Sequence, residues 1–392
     1  MSGFENELKA RLEALEKQNL RRQLKRIDSA QGVHIAFSGR DVLNFSSNDY
    51  LGLATHPRLQ EAAIKATQDY GTGSGASRLI CGSVAPHNRL EEALAEFKGV
   101  ERALVFATGY ATAVGTIAAL VSAGDIVVID KLAHASIVDG ARLSGAKLRV
   151  FDHNDLADLE KILKWSSEQR GKSGRVLIVT ESLFSMDGDK APLQEIVELK
   201  ERHDAWLMVD EAHATGLFGA NRRGLVEEQG LSGRVEVQLG TLGKALGSAG
   251  GYIAGAGVLI DFLVNRARSF IFSTAPPPSV SAASIAGIEV IRSNEGKDLL
   301  RNLRANVATF CELGRTVPPG ENSPIVPWNV GDEASAMNAS DSLFRAGFLV
   351  PAIRYPTVAR GKARLRITFS AAHRAEQVES LVAALRAGNQ LL

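Results

Sequence analysis

The stretch VLIVTESLFSMDGDKAPLQEIVELKERHDAWLMVDEAH, at residues 176–213, indicates the fold of the chain. It begins with VLIVT (176–180), a short apolar run rich in β-branched residues, and WLMVD (206–210) is a second run of this kind. Between the two runs, LQEIVELKERH follows Pro192 with the apolar spacing of an amphipathic helix. Two apolar strands that flank a helix are typical of a parallel pair buried on both faces of its sheet.

The same alternation of strand and helix extends toward the N-terminus. ALVF (103–106) and DIVVID (125–130) each precede a helical pattern, and KLRVF (147–151) precedes DLADLEKILKW. Repeated strand–helix units predict an α/β fold with a large, mostly parallel sheet that carries helices on both faces. We expect this sheet domain to span residues 57–285.

Two smaller regions lie outside this alternation. In residues 1–56, apolar residues recur at helical spacing from Phe4 to Ile27, and VHIAF and VLNF then flank a turn at 38–41. This region is predicted to be a helix followed by a β-hairpin. In residues 286–392, the stretch RLRITFS alternates at period two and a final helical pattern follows it, so we expect a smaller α+β domain there.

The composition argues against several classes of function. The 45 Lys and Arg residues are balanced by 44 Asp and Glu, so the chain lacks the excess positive charge that binds nucleic acid. Cys81 and Cys311 are the only cysteines, and they indicate neither a disulfide framework nor a cysteine metal site. The mixed charges of the N-terminal stretch and the lack of an apolar run of ~20 residues predict a cytoplasmic protein without a membrane helix.

Reactive side chains follow the predicted strands, at the ends where α/β sheets bind their ligands. Because the carboxyl ends of parallel strands meet at one edge of a sheet, we expect these side chains to form a single site. They are Gly109 and Tyr110 after ALVF, His134 after DIVVID, Glu181 and Ser185 after VLIVT, Asp210 and His213 around the end of WLMVD, and Thr241 and Lys244 after VEVQLG.

Lys244 and Asp210 indicate the chemistry of this site. Lys244 lies in GTLGKALGSAGG, among small and apolar residues, where burial disfavours the ammonium form and leaves the amine as a nucleophile and base. Asp210 ends an apolar strand, so its carboxylate needs a cationic partner. A protonated pyridine nitrogen is such a partner, and it lets the ring accept electrons from a carbanion. His213 would reach the phenolic oxygen of the same ring.

An anion site is predicted where Gly109 and Tyr110 open a helix directly after a strand. The free N–H groups and the dipole of a helix N-terminus attract negative charge. Thr241 would add a hydroxyl donor to the same phosphate, and His134 would lie over the plane of the ring. With Lys244, these residues predict a site for a planar, phosphorylated aldehyde.

Two motifs are typical of other functions, and each lacks a required partner. DEAH (210–213) matches ATP-dependent helicases, but those enzymes need a phosphate loop, G-x-x-x-x-G-K-[ST]. Gln238 and Ala245 occupy the first and last positions of that loop, so a DEAH-type ATPase is disfavoured. GTGSGA (71–76) follows a helical pattern, whereas the dinucleotide fingerprint follows a strand. The eight His residues include no H-E-x-x-H, and no metal is expected.

Several long motifs resemble the α-oxoamine synthases, which are pyridoxal-phosphate enzymes of fold type I that condense an amino acid with an acyl thioester. The resemblance runs from about residue 20 to the C-terminus, and it implies pyridoxal 5′-phosphate (PLP) as the cofactor. The motifs, in chain order, are SSNDYLGL (46–53), GTGSGASR (71–78), GY (109–110), TESLFSMDG (180–188), DEAH (210–213) and TLGK (241–244).

This resemblance implies a role for each residue around the cofactor ring. Lys244 carries PLP covalently and acts as the base at the substrate Cα atom. Asp210 pairs with the pyridine nitrogen, and His213 bonds the phenolic oxygen. Ser185 supports the ring oxygen, while His134 stacks on the ring face and helps to orient the substrate.

The resemblance also assigns residues to the phosphate and the substrates. It places the cofactor phosphate against Gly109, Tyr110 and Thr241. Arg354 would bind the α-carboxylate of the amino acid, since a guanidinium grips a carboxylate with two hydrogen bonds. Asn48 and Thr357 would line the substrate side. Arg21 would meet the acyl substrate, with Arg22 as the alternative.

The stretch AIRYPTV (352–358) is most similar to the biotin-pathway member of the family. That member joins L-alanine to a pimeloyl thioester of coenzyme A or of a carrier protein. Tyr355 stands where it has proline, which leaves the glycine-using members as an alternative. The family also implies a homodimer, in which Ser273 and Thr274 reach the cofactor phosphate of the partner subunit.

Overall fold

The computed structural model of the chain describes residues 2–18, 20–24, 26–171, 174–318 and 320–389. Seven strands form its central sheet. They are β3 (Arg102–Phe106), β4 (Ile126–Asp130), β5 (Lys147–Phe151), β6 (Val176–Glu181), β7 (Trp206–Asp210), β8 (Val237–Thr241) and β9 (Gly251–Gly255), after a first hairpin of β1 (His34–Phe37) and β2 (Arg40–Asn44). Their order in the sheet is β3-β9-β8-β7-β6-β4-β5.

The sheet is mostly parallel, as predicted. β8, β7, β6, β4 and β5 pair in parallel with their neighbours. The exception is β9, which runs antiparallel between β3 and β8. The carboxyl ends of the parallel strands therefore meet at one edge, and the loops that leave this edge contain the predicted site residues.

Helices cover both faces of the sheet. They are α2 (Pro57–Tyr70), α3 (Ala85–Lys98), α4 (Gly109–Leu120), α5 (Ala135–Ser144), α6 (Leu156–Gln169), α7 (Leu193–Arg202), α8 (Leu225–Glu228), α9 (Gly257–Arg266), α10 (Arg268–Ile271) and α11 (Pro278–Arg292), preceded by α1 (Gly3–Lys17). Apolar residues of α3, α6, α7 and α11 belong to one core, and those of α4, α5, α9 and α10 belong to the other.

Burial on both sides explains why the inner strands are apolar except at their carboxyl ends. Every residue of β4 and β6 is buried. Val128 and Ile178 point into the first core, whereas Val127 and Val179 point into the second. Successive side chains of a strand point to opposite faces, so a strand between two helical layers carries apolar residues on both of its faces. The α/β fold class predicted from the sequence is thereby confirmed.

The two ends of the chain share a small sheet. The predicted hairpin of β1 and β2 is present, and β2 also pairs in parallel with β11 (Phe348–Leu349). A second small sheet has the antiparallel order β10-β13-β12, and α12, α13 and α14 accompany it. Its elements are α12 (Asn294–Gly314), β10 (Ile325–Gly331), α13 (Glu333–Arg345), β12 (Ala352–Ile353), β13 (Ala363–Thr368) and α14 (Ala375–Asn389). The domain boundaries stay predictions; the one between residues 285 and 286 lies within α11.

A buried ion pair fixes the segment that follows β7. Nζ of Lys98 lies 2.7 Å from Oε2 of Glu211, and both side chains are almost completely buried. Oε1 of Glu211 accepts the N–H of Val226 at 2.9 Å. A Cβ atom at Gly224, where φ is +128°, would lie 2.4 Å from this carboxylate, so only glycine fits there. The pair ties α3 to the start of the DEAH segment.

Two classes of feature are absent from the part of the chain that the structure describes. None of its helices is both long and apolar enough to cross a membrane. Likewise, the described His, Cys, Asp and Glu side chains form no group of three or more that could hold a metal ion.

Candidate active site

The amine of Lys244 lies beyond the carboxyl ends of the parallel strands, where several charged groups face it. Its Nζ atom is 2.7 Å from Nε2 of His213. The charges of Asp210 and Glu181 raise its pKa and that of Arg366 lowers it, so these groups also lie close to the amine. Residues at the ends of β6 and β7, the loop after β8 and strand β13 thus meet at one point.

Burial determines the charge of the Lys244 amine. Loss of water around it lowers its pKa from 10.5 to about 8, although the two carboxylates act in the opposite direction. The loop that holds it is tight: the N–H of Gly247 donates to the Lys244 carbonyl at 2.9 Å. A Cβ atom at Gly247, where φ is +67°, would lie 2.5 Å from the backbone of Leu53. The amine is therefore available as a nucleophile near neutral pH.

Hydrogen bonds fix Asp210, the last residue of β7, and His213, which lies three residues beyond it. Oδ1 of Asp210 accepts a backbone N–H at 2.8 Å. Burial raises the pKa of this carboxyl, while the charge of Lys244 lowers it. Nδ1 of His213 is hydrogen-bonded to the hydroxyl of Tyr50. Burial, followed by the charge of Lys244, holds the pKa of His213 well below its ordinary value, so its imidazole is neutral at pH 7.

Tyr50 and Asn48 extend this hydrogen-bonded chain to Arg366. Tyr50 is completely buried, and its hydroxyl lies 3.2 Å from Oδ1 of Asn48. Nη2 of Arg366 donates to the same oxygen at 3.1 Å. Burial raises the pKa of Tyr50 to about 12, so the hydroxyl keeps its proton. Hydrogen-bonded groups thus lead from Arg366 to Lys244 through Asn48, Tyr50 and His213.

The buried guanidinium of Arg366 has no anionic partner among the described residues. Its other hydrogen bonds go to the carbonyl of Ser185 at 2.7 Å and to the hydroxyl of Thr368 at 3.0 Å, which are both neutral groups. A buried cation without a carboxylate is costly, so this place suits an anionic ligand. The sequence assigns no role to Tyr50 or Arg366. For Arg366, the sequence offers one indication, its place in the period-two stretch RLRIT. In the structure every residue of this strand is buried.

The three residues predicted for the phosphate lie together. Gly109 opens α4, where Thr108 caps the helix by accepting the N–H of Ala111 at 3.0 Å. A Cβ atom at Gly109 would lie 3.8 Å from Oγ1 of Thr241. Tyr110 is half exposed, and its hydroxyl donates to Asp139 at 2.7 Å. A helix N-terminus with an adjacent hydroxyl group can bind a phosphate.

His134 and Ser185 belong to the loops after β4 and β6. Nδ1 of His134 accepts the N–H of Ser136 at 3.2 Å, and burial lowers the pKa of His134. Ser185 is buried, with its backbone N–H bonded to Oε2 of Glu181 at 3.2 Å. His153 stabilises the same region by bridging Asp130 and Asp189 at 2.9 and 2.7 Å.

Arg354, Arg21 and Thr357 form a second group of predicted substrate-binding residues. Nη2 of Arg354 donates to the backbone oxygen of Arg21 at 3.3 Å, and Nη1 contacts the sulfur of Met337 at 2.7 Å. The side chain of Arg21 pairs with Glu16, and Thr357 is exposed. Within the described chain, no hydrogen bond links these three residues to those around the Lys244 amine. Their substrate roles stay predictions.

The arrangement around Lys244 can hold a planar ligand and perform covalent chemistry on it. A desolvated amine can bind an aldehyde, and an ionised Asp210 can keep a ring nitrogen protonated. The N-terminus of α4 accepts a phosphate, and the uncompensated charge of Arg366 accepts a carboxylate. These features fit the phosphorylated aldehyde that the sequence predicts.

Known proteins match this chain in sequence over nearly their full length. The family model for class I and II aminotransferases matches residues 40–385. An 8-amino-7-oxononanoate synthase of Geobacter sulfurreducens is 47% identical over 384 residues, which are 97% of this chain and 97% of that protein. An enzyme of the same name from Geotalea daltonii is 48% identical over 377 residues, which are 95% of each chain.

The fold is also similar to that of solved structures. A lysine-to-alanine variant of a serine palmitoyltransferase from S. paucimobilis, solved with a bound PLP–myriocin aldimine, superposes with a TM-score of 0.89 at 29% identity, and the match covers 98% of this chain and 97% of that one. A DEAH-type ATPase is thereby excluded.

The pKa of Lys244 predicts how its amine reacts in the protein without cofactor. Acetylation by acetic anhydride should rise with a midpoint near pH 8 rather than 10.5, because burial favours the neutral amine. In an Asp210→Asn variant the midpoint should fall further, since the Asp210 charge raises this pKa. Mass spectrometry of the Lys244 peptide at a series of pH values measures both.

Lys131 provides an internal control in the same samples. It is exposed, and its bond to Asp152 raises its pKa, so it should react only at higher pH. Equal midpoints for Lys131 and Lys244 would show that the Lys244 amine is not desolvated.

Proposed function

Since the chain belongs to the class I and II aminotransferase family, we propose that it is a PLP-dependent acyltransferase of biotin biosynthesis. The proposed reaction condenses L-alanine with a pimeloyl thioester, with loss of carbon dioxide and free thiol, to give 8-amino-7-oxononanoate. The desolvated amine of Lys244 beside Asp210 is the observation that best supports the cofactor chemistry. The names of the relatives at 47% and 48% identity support the substrates and the product.

The residues around Lys244 include a suitable partner for each functional group of PLP. Lys244 would hold the aldehyde carbon, Asp210 the ring nitrogen, and His213 the phenolic oxygen. The N-terminus of α4 and Thr241 would hold the phosphate. When bound, PLP supplies an aldehyde that links covalently to amines and a ring that accepts the electron pair of a carbanion.

The protein side chains then control protons and orientation. The neutral amine of Lys244 removes the Cα proton of L-alanine, because its lowered pKa of about 8 makes a far larger fraction of it unprotonated near neutral pH than in an ordinary lysine. Asp210, as a buried carboxylate, keeps the proton on the ring nitrogen. The tight loop and the buried residues around Lys244 exclude water from the acyl transfer.

The first test of this function uses a Lys244→Ala variant. Borohydride reduction of the PLP-treated protein should attach the cofactor to the Lys244 peptide in the wild type and not in the variant. Turnover of L-alanine with pimeloyl thioesters of coenzyme A and of a carrier protein should be lost as well, since no other amine takes the Cα proton. Mass spectrometry and a free-thiol assay measure the two results.

A Lys131→Ala variant, which changes an exposed lysine, should keep both properties. Glycine and serine should be poor substrates. Normal turnover by Lys244→Ala would contradict the proposed chemistry, and a preference for glycine would contradict the proposed substrate.

Arg366 and Arg354 are alternative partners for the α-carboxylate of L-alanine. Neither guanidinium has an anionic partner in the described chain, and we favour Arg366 because it is buried and its charge acts on the Lys244 amine. An Arg366→Gln variant should raise KM for L-alanine by about 10- to 100-fold, as expected for loss of a charged hydrogen bond. Arg354→Gln should have a smaller effect on this KM. The reverse order in steady-state kinetics would favour Arg354.

A homodimer is proposed as the functional form. Thr274 pairs with Ser77, so the segments around them are adjacent. The apolar side chains of Leu79, Ile80 and Phe272 are 50%, 79% and 69% exposed there, which is typical of an interface. Sedimentation should show two chains in the active species, and a fully active monomer would contradict this proposal.

A further inference from the structure

Glu181 is a buried carboxyl group that the proposed reaction leaves without a role. It is the last residue of β6 and is only 2% exposed. Its partner across the sheet is Asp210, at the end of β7. Paired residues of neighbouring strands point to the same face, so the two carboxyl groups lie side by side.

The two oxygens of Glu181 have different surroundings. Oε2 accepts the backbone N–H of Ser185 at 3.2 Å, which holds the loop after β6. The backbone of His134 also lowers the pKa of Glu181, so the loop after β4 borders the same carboxyl. Oε1 is buried and has no hydrogen-bond partner among the described residues. One oxygen therefore has a structural contact, while the other is free to carry a proton.

Charge repulsion favours a neutral Glu181. Two desolvated carboxyl groups at adjacent positions cannot both ionise easily. Burial and the charge of Asp210 raise the pKa of Glu181 to about 8, against the opposing effect of Lys244. The charge of Glu181 also raises the pKa of Tyr50. The titratable groups that face it are thus Asp210, Lys244 and Tyr50, whereas His134 contacts it through its backbone.

We propose that Glu181 is a positioning residue that works as a neutral carboxylic acid, holding the Ser185 loop and leaving Asp210 as the single ionised carboxylate beside Lys244. This inference rests on the proposed function. Ionisation of Glu181 would add a negative charge near the amine and raise the pKa of Lys244. A larger fraction of the amine would then be protonated and unable to take the Cα proton. Ionisation of Glu181 above about pH 8 should accordingly shift the alkaline rise of turnover to higher pH than the Lys244 amine would show without this charge.

Two substitutions separate the charge of Glu181 from its hydrogen bond. Glu181→Gln keeps an oxygen for the Ser185 N–H but cannot ionise. Its turnover should be close to wild type at neutral pH, where Glu181 is uncharged, and should reach its alkaline plateau at a lower pH than the wild type. Glu181→Leu removes the acceptor, so kcat should fall about 10- to 100-fold because a buried N–H is left unpaired, while KM for L-alanine stays unchanged.

Glu227→Gln is the matched control. The Glu227 carboxylate also accepts backbone N–H groups, from Asn221 and Arg223. Glu227 lies in the short helix α8, however, and its two donors lie in the loop before that helix. Its pH profile should follow the wild type. The proposal is overturned if the Glu181→Gln profile superimposes on the wild type at every pH, or if Glu181→Leu keeps the wild-type kcat.

An infrared spectrum of the protein without cofactor or substrate tests the protonation directly. At neutral pH, the wild type minus Glu181→Gln difference should contain the carbonyl band of a protonated carboxylic acid. Its absence would overturn the proposal. The spectrum also separates the proposed reaction from the proposed role of Glu181. If the band is present but L-alanine is not turned over, only the proposed reaction is contradicted. If L-alanine is turned over but the band is absent, only the role of Glu181 is contradicted.

Discussion

The charge balance at one amine is the constraint on which the site depends. Burial removes water from the Lys244 amine, and this effect alone would lower its pKa far below the usual value of a lysine. Asp210 and Glu181 oppose that effect, and Arg366 reinforces it. The amine consequently stands near its midpoint at about pH 8, where small changes in neighbouring charge alter its protonation. The buried pair of Lys98 and Glu211 supports this balance, because it fixes the segment from which Asp210 projects.

Much of this architecture could be predicted from local sequence. The apolar runs of β4, β6 and β7 predict buried parallel strands, since only a strand covered on both faces is apolar at every position. Parallel strands bring their carboxyl ends to one edge of the sheet. The sequence alone therefore predicts that Asp210, His213 and Lys244 lie close together. The antiparallel β9 and the pairing of β2 with β11 have no comparable local signal, because they depend on contacts between distant segments.

The rest of the site could not be predicted for the same reason. Tyr50 and His213 are 163 residues apart, and Arg366 and Asn48 are 318 residues apart. Whether a charged residue is paired depends on such contacts, so the sequence, which assigns the carboxylate to Arg354, does not predict that Arg366 is buried without an anionic partner. The neutral state of Glu181 likewise depends on its register with Asp210. Residue types predict which chemistry is available, whereas distant contacts determine which groups are charged.

The shared sheet of β1, β2 and β11 has a consequence for how the protein matures. Asn48 and Tyr50 follow β2, and Arg366 lies in β13, so one hydrogen-bonded chain needs segments from both ends of the polypeptide. During synthesis on the ribosome, the N-terminal hairpin must wait for its third strand until residues 348–349 have left the exit tunnel. Nascent chains therefore contain Lys244 well before they contain Arg366, and the pocket can bind its ligand only after residue 366 has been synthesised.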